Sequence, residues 1–204
     1  EQICSNNFDK LPFNSANSDI EFCNAGFSYP GREHLFSNLN FVVKSGEITA
    51  IAGKNGSGKS TIASLIAGDM APTVGRVIVG GMDISLIPID LWRGEIAYIE
   101  QSTHLFSTTI LENITCKEGK EVENIEKVLE ICSKVGLLDL LGTLPMGLLT
   151  IVGNNGKILS GGECQKISIA RALYKDAQIY IFDEPTAHLD MESAAGIVKI
   201  IKEL

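Results

Sequence analysis

Apolar positions alternate through residues 19–29: Ile20 and Phe22 hold one phase, Ala25, Phe27 and Tyr29 the other. Alternation predicts strand structure, and the change of phase predicts a bulge or bend within it. Pro30-Gly31 signals a turn. Residues 38–44 (NLNFVVK) read as a second strand, and residues 47–52 (EITAIA) as a short apolar strand entering a glycine-rich stretch. A helix is expected from about Ser60 to a stop at Gly68. Strands follow at 76–79 and 96–99. Val122, Ile125, Val128, Leu129, Cys132 and Val135 recur at helical spacing, with Gly136 as the terminator. Ser160 opens a helix to about Tyr174. Residues 179–182 form an apolar run of the kind expected for a strand buried on both faces, and residues 194–204 form a closing helix. Strands alternating with helices predict an α/β core, with a helix-rich inserted lobe at about 110–159.

Three stretches of this pattern carry chemistry. Residues 53–60 read Gly53, Lys54, Asn55, Gly56, Ser57, Gly58, Lys59, Ser60, which fits G-x-x-x-x-G-K-[ST] between a strand and a helix. Glycines let successive N–H groups curl around a phosphate, and the helix N-terminus adds free donors. Lys59 supplies a point charge for the β- and γ-phosphates, and the Ser60 hydroxyl can ligate Mg2+. Residues 179–184 (IYIFDE) end an apolar strand in two carboxylates, at the edge where open α/β sheets bind ligands. Asp183 is the candidate Mg2+ ligand. Glu184 is the candidate to orient or deprotonate a water. Residues 159–163 read Leu159, Ser160, Gly161, Gly162, Glu163. Ser160-x-x-Glu163 is also an ordinary capping box. A plain cap does not need two glycines in its first turn, where they weaken the helix; close approach of a phosphate to the exposed N–H groups does explain them.

Composition narrows the function. Lys+Arg number 17 and Asp+Glu 25, a net charge of −8, which argues against a nucleic-acid partner. The five cysteines include no CxxC pair, so neither a disulfide framework nor a zinc site is expected, and a reducing compartment fits best. His34, His104 and His188 lack metal-ligand spacing. No apolar run reaches the ~18 residues of a membrane helix. Residues 1–18 are polar and read as a linker or arm.

Together the three motifs resemble those of the nucleotide-binding domain of ABC transporters. GKNGSGKS and IYIFDE resemble its Walker A and Walker B motifs, and LSGGE-x-Q its signature, in the family's order over most of residues 19–204. The resemblance implies a P-loop NTPase (RecA-like) α/β core, an N-terminal antiparallel β subdomain and an inserted α-helical subdomain. It implies ATP and Mg2+ as ligands and ATP hydrolysis as the activity. The expected nucleotide set is Tyr29, Gly53, Asn55, Gly56, Ser57, Gly58, Lys59, Ser60, Thr61 and Gln101. Tyr29 resembles the aromatic that stacks on adenine, with a core aromatic at a strand end as the other reading. Gln101 resembles the Q-loop glutamine, a Mg2+ sensor that also contacts the membrane domain. Residues 187–190, ending in Asp190, resemble the D-loop. Ser160, Gly161, Gly162 and Glu163 are expected to close on the γ-phosphate held by an opposing copy, in a head-to-tail dimer of like or unlike domains.

Tyr29-Pro30, Gln101 followed by LFSTTILENI (residues 105–114), and Val152-Gly153-x-x-Gly156 resemble the exporter type. That implies a membrane domain fused upstream on the same chain, a place on the cytoplasmic face of a membrane, and export as the work done. A soluble ABC ATPase and a separate importer ATPase subunit are the alternatives. In the resembled family a further strand and a switch histidine follow the last helix. Both are expected to be missing from residues 1–204.

Overall fold

The computed structural model describes residues 17–101, 103–117, 124–153, 159–186 and 189–204, and of Glu192 only the backbone. Val122, Gly156, Ala187, His188 and most of the expected N-terminal arm lie outside them. The chain divides into two compact units, Glu1–Arg93 and Gly94–Leu204.

In the first unit, β1 (Ile20–Ser28), β2 (His34–Val43), β3 (Val74–Val79) and β4 (Met82–Asp83) form one antiparallel sheet in the order β2-β1-β3-β4. The phase change along β1 is a true irregularity: its register against β2 shifts between Phe22 and Ala25 and again before Phe27. Asn24 sits there at φ 48°, and its backbone N–H is satisfied by Asn40 Oδ1 at 2.9 Å. The bulge keeps Ile20, Phe22, Ala25 and Phe27 all buried, which strict alternation would not. Phe22 stacks on Phe41 at 4.4 Å. Helix α1 (Lys59–Ala67) buries Ile62, Leu65 and Ile66 and ends on Gly68 at φ 77°. Trp92, in α2 (Ile89–Gly94), is buried and donates from Nε1 to the Ile66 carbonyl at 2.8 Å.

Residues 47–52 depart from expectation. They form no ladder, and Ile48 and Ile51 remain exposed. A strand buried on both faces is defined by the neighbours it pairs with, and the antiparallel sheet of this unit does not include it.

In the second unit β5 (Ile96–Ile99) and β6 (Ile179–Phe182) pair in parallel, Ile96 opposite Ile179 through Ile99 opposite Phe182. All four β6 residues are half-buried, not buried on both faces as its apolar run predicts, because its ladder here has one partner. Helices α3 (Ile110–Thr115), α4 (Ile125–Lys134) and α5 (Leu138–Thr143) fall within the expected helical lobe. Helix α6 (Gly161–Lys175) follows, and α7 (Met191–Glu203) starts three residues earlier than the apolar pattern predicts because Asp190 caps it. The core joins Ile99, Ile110, Ile114, Val128, Cys132, Ile167, Ile169 and Ile197.

Candidate nucleotide site

The glycine-rich loop belongs to the first unit. Ser57 N–H closes a turn on the Lys54 carbonyl at 3.2 Å. A Cβ on Gly53 would lie 2.6 Å from Ser57 Oγ, and one on Gly58, at φ 95°, 2.9 Å from the Phe36 ring. A side chain at Gly53 would displace Ser57, and one at Gly58 would meet a packed ring in a backbone conformation that L residues rarely adopt. Lys59 folds back over it, with Nζ 3.2 Å from the Gly53 carbonyl and 3.3 Å from that of Lys54. Gly58 caps α1 without a side-chain hydrogen bond, so no side chain occupies the donors of its first turn. Asn55, Gly56, Ser57 and Ser60 are exposed, whereas Thr61 is buried. This curled backbone, with a cation folded over it and an uncapped helix start, fits a polyphosphate.

Tyr29 follows β1 and is 36% exposed. Its ring meets Phe27 edge-on at 5.0 Å, and its hydroxyl hydrogen-bonds Thr61 Oγ1 at 3.0 Å. The ring is therefore held at the rim of the unit and not enclosed in its core.

The carboxylates belong to the second unit. Asp183 N–H donates to the Ile99 carbonyl at 2.9 Å, which extends the β5–β6 ladder by one step. Glu184 then turns into the left-handed region at φ 48°, a conformation that costs a non-glycine residue energy. Gln101 lies just beyond β5, and its Nε2 donates to Glu184 Oε2 at 2.8 Å. The structure thus brings Gln101 and Glu184 together. Asp190 accepts from Ser193 N–H at 2.9 Å as the cap of α7.

Ser160 and Glu163 make the full capping box. Glu163 N–H reaches Ser160 Oγ at 3.3 Å, and Ser160 N–H and Oγ reach Glu163 Oε2 at 2.7 and 2.8 Å. A Cβ on Gly162 would come within 3.2 Å of Leu189 Cδ2, a tight contact that this side chain would have to relieve. Gly161 is exposed.

The candidate Mg2+ donors, Ser60, Asp183 and Gln101, are all oxygen donors and suit a hard cation. Among the described residues no cluster of three or more His, Cys, Asp or Glu forms a protein cage.

Sequence reasoning did not reach Thr103 or Arg171, and it reached Gln165 only as the last residue of the LSGGE-x-Q signature. Gln165 is buried on an otherwise apolar face of α6 and accepts a hydrogen bond from the Thr103 hydroxyl. Arg171 donates to the carbonyls of Asn113 and His104 and lies over the Phe106 ring at 5.2 Å. Polar residues at inward helical positions were the available signal.

The family model for the ABC transporter matches residues 36–187. The mitochondrial iron-sulfur clusters transporter ATM1 of Candida glabrata is 41% identical over 184 residues, 90% of this chain and 25% of that protein. The ATP-dependent lipid A-core flippase of Salmonella typhimurium is 38% identical over 196 residues, 96% of this chain and 34% of that protein. The solved structure of a bacterial Atm1-family ABC exporter with ATP bound superposes with a TM-score of 0.86 at 32% identity, covering 94% of this chain and 34% of that one. The chain therefore spans a quarter to a third of the length of these relatives. The fold is the α/β RecA-like P-loop NTPase core with an N-terminal β-sheet and an inserted helical subdomain. One expectation is overturned. The family match and the alignment with the yeast transporter support the nucleotide-binding domain by itself, not a fused membrane domain. Among the described residues no helix is long and apolar enough to cross a membrane. Loop, carboxylates and capped glycine helix, in the order the family shares, place this chain in the ABC transporter family as an ATP-hydrolysing domain that binds ATP with Mg2+.

Proposed function

We propose that the domain hydrolyses MgATP in a head-to-tail dimer. It would act as a soluble ABC ATPase or a separate ATPase subunit that engages membrane domains as a partner. The observation that carries the dimer is the loop around Ser160. It sets the Ser160 hydroxyl beside the N–H groups of Gly161 and Gly162 in the first turn of α6, donors that lack an intrahelical partner, a surface for phosphate on a helix remote in sequence from the phosphate loop.

In this reading the N–H groups of residues 53–60 cradle the phosphates, and Lys59 neutralises the β- and γ-phosphates. Tyr29 stacks on adenine. Ser60, Asp183 and Gln101 hold Mg2+, whose positive charge offsets charge on the phosphoryl oxygens. Glu184 orients a water and draws its proton as the water oxygen bonds to the γ-phosphorus, while the bond to the ADP oxygen breaks. The Ser160 hydroxyl and the backbone N–H groups of Gly161, Gly162 and Glu163 of the opposing copy donate to the γ-phosphate, and Asp190 ends the D-loop beside them. Residues 19–204 act as one functional domain, with 110–159 as its helical lobe and 1–18 as an arm.

Export is a second reading. It rests on the similarity to a protein described as a bacterial exporter and to a lipid A-core flippase. It would place the domain on the cytoplasmic face of a membrane.

Light scattering with ATP tests the dimer. Glu184→Gln should bind ATP, hydrolyse it poorly and accumulate as a dimer. Adding Ser160→Arg should return the protein to monomer, because bulk and charge fill the phosphate seat. A trapped dimer in the double variant contradicts the composite site.

A further inference from the structure

Gln101 and Glu184 are both exposed, yet their side chains form one hydrogen bond of 2.8 Å. A bond between two solvated side chains persists only when something else holds its members, since water competes for each. Glu184 is held by its backbone, which sits at φ 48° one residue past Asp183, whose N–H is bonded, at the end of β6, to the Ile99 carbonyl. Gln101 needs a corresponding anchor.

Two residues on, Thr103 supplies it. The Thr103 hydroxyl donates to Gln165 Oε1, and Gln165 is 6% exposed. The Gln165 Nε2 has no hydrogen-bond partner among the described residues. A buried amide left half-satisfied is unfavourable, and an apolar residue there would avoid the penalty. The neighbouring inward positions of α6 are apolar, with Ile167, Ile169 and Ala170 all buried. Among the described residues the Gln165 amide is hydrogen-bonded to Thr103 alone.

The rest of this segment is fixed to the same helix. Arg171 Nε and Nη2 donate to the Asn113 carbonyl and Oδ1 at 2.7 and 3.0 Å. Asn113 in turn bonds the Phe106 N–H and carbonyl at 2.9 and 3.0 Å. Segment 103–113 is therefore carried by α6 at both ends.

We propose that Gln165 and Thr103 are positioning residues for Glu184, acting through Gln101. Gln165 and Thr103 tie the helix capped by Ser160 to the chain two residues beyond Gln101, whose side chain meets the carboxylate proposed to activate water. In a head-to-tail dimer, closure of Ser160 on the partner's nucleotide would then be felt at this chain's own Glu184. The functional consequence rests on the reading of Glu184 as the water-activating group.

The test uses the full chain and two readouts. The side-chain amide resonances of Gln101, identified by their loss in Gln101→Ala, report the hydrogen bond without catalysis. In Thr103→Val they should move to the position of a free glutamine amide, and in Thr103→Ser they should stay. In MgATP hydrolysis Thr103→Val should lower kcat roughly tenfold, a fraction of what a positioned base supplies, with KM unchanged. Thr103→Ser should keep parental kcat, and in a Gln101→Ala background Thr103→Val should cost nothing more. Unmoved resonances in Thr103→Val, or a full further loss in the Gln101→Ala background, overturn the proposal. Parental turnover in Glu184→Gln would instead refute the role of Glu184, and the resonance result would still stand or fall by itself.

Discussion

Lys59 reaches two loop carbonyls at 3.2 and 3.3 Å, and a triphosphate offers it far stronger acceptors. Lys59→Ala should therefore weaken MgATP binding and nearly abolish hydrolysis, measured by titration with a fluorescent ATP analogue and by phosphate release. Tyr29 makes a different claim. Its hydroxyl serves Thr61 and its ring the proposed adenine contact. Tyr29→Phe should keep nucleotide affinity, whereas Tyr29→Ala should lower it by about 1 kcal/mol, the worth of an aromatic contact. Equal affinity in both would leave the ring a structural part of the strand end. Cys132 gives a pH dependence. Burial in the core of the second unit raises its thiol from 9.0 to about 11. Above about pH 9 the unfolded chain loses a proton that the folded chain keeps. Stability is thus undiminished below pH 9 and falls as pH rises towards 11. Denaturant melts across that window should show the fall, and Cys132→Val should reduce it.

At the scale of elements, α6 has two roles at its N-cap, because Ser160 both caps the helix and is proposed to face phosphate. Ser160→Asn separates them. Asparagine caps as well as serine and its amide can donate to Glu163 as the hydroxyl does, so the melting temperature should hold, while its bulk should crowd the phosphate and weaken the ATP-dependent dimer. Loss of stability with an unchanged dimer would reverse that assignment. Elements were legible in the sequence where a local signal sets them. The two phases of residues 19–29 gave the bulge at Asn24, Gly68 gave the end of α1, and Ser160-x-x-Glu163 gave the start of α6. Thr109-x-x-Glu112, the same box at α3, was equally readable. Residues 47–52 and the half-buried β6 were not, because their state depends on which strands pair with them, and apolar composition does not encode a partner. The bond from Gln101 to Glu184 spans 83 positions, and no spacing rule reaches it. Thr103 and Arg171 escaped for the same reason, and Gln165 was legible as the end of the signature but not as the partner of Thr103: these roles appear only once α6 lies against segment 103–113.

For the whole molecule, the central claim is a site completed by a second copy of the domain. Mixing two inactive variants tests it most directly. Lys59→Ala removes the phosphate-loop cation and leaves the signature intact; Ser160→Arg does the reverse. In a head-to-tail dimer the mixed pair joins the intact loop of one chain to the intact signature of the other, and so rebuilds one of its two sites. Phosphate release at saturating MgATP should be near zero for each variant alone. It should reappear on mixing, at up to about half the parental rate for each mixed dimer if the two sites turn over independently. Activity in the mixture no greater than the sum of the separate variants would contradict the composite site.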